Sequence, residues 1–368
     1  FPERAIHEAM VNALVHRDYG VLGSEIHIDI FDDRLVIQNP GGMYDGIPVQ
    51  DQKLENVVST RRNPVIADLL TRMDFMERRG SGFRKILDAV KFAPLHNPGH
   101  LQGIYAMQKA LPHKKNVVVF DTAFHQTMPK EHYLFPIPYK YYEKYGIRKY
   151  GFHGISHRYV AKRISEITGK SELKVINCHL GQGASLCAIK NGISLDTTMG
   201  LTPLAGVPMG TRCGDVDPSI IPTVMKLYNL KPDEMLQILN KESGAWGVSG
   251  VSTDFRDIER TAAQGDARSI LALESRAYII AQYIAKFVVT LQGVDVITFA
   301  GGVGENGIET RERVCKYLEP FGIKLDEEAN QVRGKEKCIS KEDSKVKIYI
   351  IPTNEELIIA KDTYELIK

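Results

Sequence analysis

Lys174-Val-Ile-Asn-Cys-His-Leu-Gly-Gln-Gly-Ala-Ser-Leu-Cys-Ala-Ile189 decides how this 368-residue chain is read. Two apolar runs, 174–178 and 184–189, predict strands on either side of the turn His179-Leu-Gly-Gln-Gly183. Glycines there let backbone N–H groups approach an anion closely, as a phosphate requires. The same glycines equally mark an ordinary hairpin. Further on, Val294–Ala300 predicts a strand, followed by Gly302-Val-Gly-Glu-Asn-Gly307 and a helix opening at Ile308. Glycines ahead of a helix N-terminus favour phosphate. No ribose-binding acid at a strand end follows, because Lys324-Leu-Asp326 lies in irregular polar sequence, so the pattern favours a nucleotide and not a nicotinamide cofactor.

Outward from these turns, apolar periodicity predicts strands at 173–179, 184–189, 294–299 and 346–351. Helices are predicted over 155–168, 217–229, 232–240, 264–291, 308–318 and 354–367. Lys115–Phe120, four apolar residues in a row ending at Asp121, predicts a buried strand. Strands alternating with long helices give an α/β class, two-lobed in the fullest reading. The first segment is a smaller α/β unit, with a helix over 3–16, strands at 25–30 and 34–37 around an Asp32-Asp33 turn, a helix near 63–74 and a short one over 84–90.

Composition excludes several classes. Lys plus Arg is 47 against 45 Asp plus Glu, a net charge of +2, which gives no basic field for nucleic acid over residues 92–368. No apolar run reaches the roughly 18 residues a membrane span needs, and no signal-peptide pattern opens the chain. Cys178, Cys187, Cys213, Cys315 and Cys338 are odd in number and widely spaced, unlike a disulfide framework or zinc site. The class that remains is a cytoplasmic enzyme. Two details stand out: the chain opens at Phe1 without an initiator Met, as a fragment would, and residues 1–92 carry nine Arg to three Lys while the rest carries eleven Arg to twenty-four Lys.

Other residues suggest chemistry singly. Arg212, in the Gly- and Pro-rich loop Thr211-Arg-Cys-Gly214, suits bidentate contact with phosphate or carboxylate, or an ion pair with Asp215 or Asp217. His153 and His157 have the i, i+4 spacing of a helical metal pair, but no Glu stands between them as a zincin would need; one of them reads as a donor to an anion and the other as a structural histidine. Asp121 and Glu355 each follow a predicted strand, where a carboxylate either works on a ligand, Mg²⁺ included, or caps a helix.

In order, several runs resemble the acetate kinase (acetokinase) family: Ala93-Pro-Leu-His-Asn-Pro98, Phe120-Asp-Thr-Ala-Phe-His-Gln-Thr-Met128, Lys149-Tyr-Gly-Phe-His-Gly154 and Cys178-His-Leu-Gly-Gln-Gly183. Met209-Gly-Thr-Arg-Cys-Gly214, Gly247-Val-Ser-Gly250, Asp254-Phe-Arg256, Gly302-Val-Gly-Glu-Asn306 and Pro352-Thr-Asn-Glu-Glu-Leu357 continue it, so that the likeness runs from about 92 to 368. The resemblance implies the actin-like/sugar-kinase ATPase fold and reversible transfer of the ATP γ-phosphoryl to acetate, giving acetyl phosphate and ADP with Mg²⁺. It implies Asp121, His153 and Arg212 as catalytic residues. For the nucleotide it implies His179, Leu180, Gly181, Gln182, Gly183, Asp254, Phe255, Arg256, Gly302, Val303, Gly304, Glu305 and Asn306. Glu355 matches the metal-site glutamate, and Leu95, Phe152 and Pro203 match a small methyl pocket in which propionate would be a poor substrate. Gln182 stands where the family usually has Asn. A homodimer through the second lobe is implied as well.

The family's opening phosphate loop, approximately N-A-G-S-S-S-L-K, and its later H-R-V-V-H-G-G segment do not occur here. Residues 1–91 instead resemble the gyrase/histidine-kinase-type ATP-binding domain of some bacterial transcriptional regulators. The carriers are the stretch Glu8-Ala-Met-Val-Asn12 to Tyr19, Ile37-Gln-Asn-Pro-Gly-Gly42, Arg62-Asn-Pro64 and Glu77-Arg-Arg-Gly-Ser-Gly82, with Glu8 and Asn12 implied to face ATP. The expected division is therefore 1–91 as that domain, 92–121 as a remnant of a first kinase lobe, 122–352 as the second lobe, and 353–368 as a helix returning to the first. Three readings remain open: a family enzyme with little turnover, an ATP-binding regulator fragment fused to a non-catalytic kinase-derived domain, and a chimera of two gene fragments.

Overall fold

The computed structural model describes residues 3–21, 25–30, 35–40, 62–73, 103, 106–107, 109–110 and 117–367. They fall into two compact units: residues 1–116 with 135–147, and residues 117–134 with 148–368. The expected helix over 84–90, the Asp32-Asp33 turn, the 77–82 segment and the junction near 92 lie outside the described residues.

In the first unit, α1 (Glu3–His16) buries Val11 and Val15 against Ala67 of a second helix, and an antiparallel pair, β1 (His27–Ile30) and β2 (Leu35–Gln38), lies between them in sequence. That second helix is α2 (Pro64–Arg72), with Pro at its start where a missing N–H costs nothing. Asn63 joins the two helices by donating its side-chain amide to the carbonyls of Val15 (3.0 Å) and Arg17 (2.7 Å) at the open end of α1.

The second unit is built on a six-stranded mixed sheet. Its elements are α3 (Gly154–Thr168), β3 (Lys174–Leu180), β4 (Ala184–Lys190), β5 (Ile193–Thr197), α4 (Ile220–Tyr228), α5 (Pro232–Lys241), α6 (Gly244–Ser249), α7 (Phe255–Ala263) and α8 (Ala267–Leu291). After them come β6 (Val296–Ala300), α9 (Gly301–Asn306), α10 (Ile308–Lys316), β7 (Lys337–Cys338), β8 (Lys347–Ile350) and α11 (Glu355–Ile367). The sheet order is β5-β4-β3-β6-β8-β7; β3, β6 and β8 run parallel, and the outer strands are antiparallel to their neighbours.

Both faces of the sheet are covered, which is why β3 and β6 are buried over nearly their whole length. On one face α8 presents Ala277, Ile280, Ala281, Ile284 and Phe287, spaced three and four apart, to Ile176, Leu180, Leu186 and Phe299. On the other, Val160, Ala161 and Ile164 of α3 meet Val175, Cys187, Ile189 and Ile351. Each fully buried Val, Leu, Ile or Phe among them contributes about 1.5–3 kcal/mol by leaving water. The 25-residue α8 starts where Asp266 accepts from the Ser269 N–H (2.7 Å) and stops at Gln292, whose φ of 55° turns the chain out of the helix.

Two expectations change. Residues 117–120 are irregular, not a strand, and Phe120 is 43% exposed. An apolar run becomes a strand only against a neighbour that takes its backbone hydrogen bonds, and none of the six strands of this sheet flanks it. The glycine run after β6 is already helical as α9, so the chain does not wait until Ile308 to enter a helix. Its ends are satisfied locally: Glu305 accepts from the Gly301 N–H (2.8 Å) and Asn306 donates to the Gly302 carbonyl (2.9 Å). Among the described residues, no helix is long and apolar enough to cross a membrane.

Candidate active site

Parallel register brings the signature turns to one end of the sheet. His179 pairs with Ala300 and Phe299 with Ile350, so the loop 181–183, the helix α9 and the turn 351–355 all leave the same edge. That edge lies beyond the carboxyl ends of parallel strands, where α/β folds bind ligands. Glu305 ties two of the segments together, since the carboxylate that takes the Gly301 N–H also takes the Thr353 N–H at 3.0 Å. Beneath them, Arg311 is fully buried and donates to the carbonyls of Gly304 (2.8 Å), Asn330 (3.0 Å) and Val332 (2.8 Å) and to the Asn330 side chain (2.7 Å). Burial pulls its guanidinium down to about 10.

The Asp254-Phe-Arg256 motif joins this edge through Phe255, buried in a cluster against which Val303 of α9 packs. Asp254 caps α7, accepting from the Arg256 N–H at 2.9 Å, and the Arg256 side chain folds back on it, holding the carboxyl down to about 2. Asp254 is thus engaged at the start of α7, and Arg256 itself is exposed. Gln182 reaches across its loop, donating to the Thr253 carbonyl (3.0 Å) while its own carbonyl takes the Gly210 N–H (3.1 Å).

The three residues singled out as catalytic come together at the same edge. Asp121 accepts the His153 N–H at 2.6 Å and the Ile155 N–H at 3.3 Å, so its carboxylate sits on the N-terminus of α3. His153 enters that helix in the left-handed region, φ 58°, which turns its ring towards the glycine loop. A Cβ added to Gly183 would lie 3.3 Å from His153 Nε2 and 3.5 Å from Arg212 Nη1, so an imidazole and a guanidinium converge over a residue with no side chain of its own. Arg212 donates to the Pro203 carbonyl at 3.2 Å and, among the described residues, forms no ion pair. Asp215 and Asp217, the alternative partners, are engaged elsewhere: Asp215 by the Gly206 N–H and Tyr283, Asp217 by Ser219. Burial lowers the Arg212 guanidinium. Phe152 is partly buried beside the main core, and Leu95 lies outside the described residues.

Four histidines surround this corner. His153 stacks on His179 at 4.2 Å, while His157 meets the edges of His179 (6.2 Å) and His125 (5.6 Å). Burial pulls His125 down to about 4 and His179 to about 3; His157 is held well below the ordinary imidazole value by burial and by its histidine neighbours. Thr353 donates to Ser156, which meets His179 Nδ1 at 2.8 Å. His125 Nε2 contacts the Phe152 carbonyl (3.0 Å) and its Nδ1 the Ser194 hydroxyl (2.9 Å). His125, Ser185, Asn177 and Thr298 were not singled out from sequence, although a polar residue inside an otherwise apolar strand was a readable signal at the last three. The helical spacing of His153 and His157 brings both rings to a shared serine, Ser185.

For Mg²⁺, the donor set is small. Among the described residues no group of three or more His, Cys, Asp or Glu side chains gathers as a metal site. Glu355, at the start of α11, is half-buried; burial, then the charges of Asp121 and Glu356, push its carboxyl upward. Neighbouring carboxylates suit a divalent cation, and Mg²⁺ commonly takes one or two carboxylates with the rest from phosphate and water.

A mixed sheet covered on both faces, with phosphate-suited loops at the ends of its parallel strands and a convergent His–Arg pair, defines an actin-like ATPase-type kinase lobe. The Acetokinase family model matches residues 81–361. Acetate kinase of Carboxydothermus hydrogenoformans is 47% identical over 98% of this chain and 84% of its own length, and that of Treponema denticola is 54% identical over 77% and 72%. In crystal structures, Porphyromonas gingivalis acetate kinase superposes with a TM-score of 0.73 at 45% identity, covering 80% of this chain and 74% of that one. A propionate kinase from Francisella tularensis gives 0.72 at 36%, covering 81% and 82%. The chain belongs to the acetokinase family. Residues 23–108 also match a family model described as putative ATP-dependent DNA helicase recG C-terminal.

Proposed function

We propose that the chain transfers the γ-phosphoryl of ATP reversibly to acetate, giving acetyl phosphate and ADP. The convergence of His153 Nε2 and Arg212 Nη1 over Gly183 carries this reading, because it aims two donors at one place beside the glycine loops. Acetate is already a carboxylate, so no base is needed to make the nucleophile. Its oxygen bonds to the γ-phosphorus as the bond to the β-phosphate oxygen breaks, and the electron pair leaves with ADP. Two anions must be brought together, and Arg212 and His153 supply the compensating donors. Asp121, held by the α3 amides, fixes where His153 stands. Phe152 and Pro203 would offer apolar surface to the methyl group, and propionate, larger by one methylene, would be the poorer substrate. Backbone and side chains of 179–183, 254–256 and 302–306 would receive the nucleotide. Glu355, with Asp121 nearby, would hold Mg²⁺, which when bound neutralises phosphate charge.

The regulator-fragment reading is not favoured, since relatives aligned over 98% of the chain are acetate kinases. For residues 1–91 we propose a separate ATP-binding unit, supported by the match over 23–108. Because the family's two N-terminal segments do not occur in these 368 residues, turnover by this chain should be slow, and it should rise when a polypeptide carrying them is added. Trapping acetyl phosphate as the hydroxamate, with ATP, Mg²⁺ and acetate, tests both points. Product that appears and depends on Arg212 supports the reading; none, even with the added polypeptide, overturns it. ATP binding abolished by Asn12→Ala but untouched by Gly304→Val would assign the nucleotide to residues 1–91 instead.

A further inference from the structure

Ser185 is fully buried and its hydroxyl touches two imidazoles, His157 Nε2 at 2.8 Å and His153 Nδ1 at 2.9 Å. His157 Nδ1 lies 2.8 Å from the Asn177 amide nitrogen, and the Asn177 carbonyl oxygen takes the Thr298 hydroxyl at 2.8 Å. Thr298, Asn177 and Ser185 in the sheet and His157 on α3 are fully buried, while His153, just before α3, is partly exposed. We propose that Thr298, Asn177, His157 and Ser185 form a one-way hydrogen-bond relay that sets the tautomer of His153, placing its single proton on Nε2. It deepens the reading above and rests on it for the role of His153.

Direction follows from donor inventory. The Thr298 hydroxyl donates to Asn177 Oδ1, so the Asn177 nitrogen faces His157 and can only donate. His157 Nδ1 must accept and carries no hydrogen. With the ring kept neutral by burial and by His125, His179 and His153 around it, its one proton lies on Nε2 and goes to Ser185 Oγ. Ser185 has one hydrogen, and the remaining partner for it is His153 Nδ1. His153 Nε2 then bears the N–H, and Nε2 is the ring atom nearest the place a Gly183 Cβ would take, which Arg212 Nη1 also approaches. A neutral imidazole thus becomes a donor towards phosphate without needing a second proton. The relay residues touch no substrate; they are positioning residues.

Nitrogen-15 histidine labelling of the full chain, with long-range proton–nitrogen correlation, reads each ring's tautomer without any turnover. His153 signals are those missing from a His153→Asn variant. At pH 7.5 the relay requires bare Nδ1 and protonated Nε2 on both His153 and His157. Ser185→Ala should move His153 towards a mixture of tautomers and lower kcat about tenfold, the worth of one lost hydrogen bond, with the ATP KM unchanged. Ser185→Thr, which keeps the hydroxyl, should restore the unmodified pattern. Protonated Nδ1 on His153 in the unmodified chain, or a His153 pattern indifferent to Ser185→Ala, would overturn the relay. The expected tautomers without acetyl phosphate formation would support the relay and count against the reaction assigned above.

Discussion

Gly154→Ala tests whether the site depends on one close approach. Gly154 is the first residue of α3, and its N–H donates to the Asp121 carbonyl at 2.9 Å. A Cβ there would stand 2.2 Å from that carbonyl oxygen, 3.1 Å from the Phe124 Cβ and 3.2 Å from the Asp121 carbonyl carbon, where ordinary contact begins at 3.4 Å. Backbone cannot swing aside as a flexible side chain does, so Asp121 and the start of α3 must part by about 1 Å. The same movement breaks the 2.6 Å bond that orients His153. A displacement of about 1 Å at reacting groups costs about 100-fold in rate, and overpacking costs about 1–3 kcal/mol in stability. The rate is read by hydroxamate trapping against the unmodified chain, alongside ATP affinity by calorimetry and a urea unfolding curve. The expected variant is folded, binds ATP within about threefold of the parent, and has lost nearly all acetyl phosphate formation. A folded variant retaining half the parent rate would refute the argument that this contact sets the site.

Three further outcomes are expected. His125 and His179 titrate near 4 and 3 when folded but near 6.5 when unfolded, so between those values the unfolded chain binds more protons. Stability is therefore full above pH 6.5 and falls as the pH drops below it, by about 1.4 kcal/mol per pH unit for each withheld proton; urea midpoints between pH 7.5 and 5 should decline steeply, and flat midpoints would contradict the buried neutral rings. Arg212→Lys should lower kcat by about 10²–10³ in the hydroxamate assay, because a point ammonium does not reproduce the guanidinium fork; near-parental kcat would remove Arg212 from the transition state. Burial raises the thiols of Cys178, Cys187 and Cys315, the last to about 12, so mass spectrometry should find these three unmodified by iodoacetamide in the native chain at pH 7.5 and labelled only after unfolding.

Much of the second unit was legible because its signals are local. The observed α8, α5 and α11 begin or end within three residues of the spans read from periodicity, and the glycine turn at 181–183 joins the two strands expected around it. Other elements were not legible. β5, Ile193–Thr197, alternates apolar and polar over only five residues, and α6, Gly244–Ser249, is too short for helical periodicity to register. Over its described residues, 117–120, the strand expected at 115–120 failed for the opposite reason: its apolar pattern was clear, but pattern alone supplies no hydrogen-bonding neighbour.

What the amino-acid order determined by itself is the set of parts: amphipathic faces, capping residues such as Asp254 and Asp266, glycine turns after apolar runs, and nine family-like stretches in series. Each depends on residues within a few positions of one another. Tertiary structure decided what those parts do together. Parallel pairing of β3, β6 and β8 put three turns at one sheet edge, the contact of Asp121 with α3 aimed His153, and Tyr283 took Asp215 while Arg212 converged with His153 over Gly183. Those outcomes rest on contacts between residues tens to more than a hundred positions apart. No local preference encodes them, because they exist only once the sheet has closed and its buried polar groups have had to find partners.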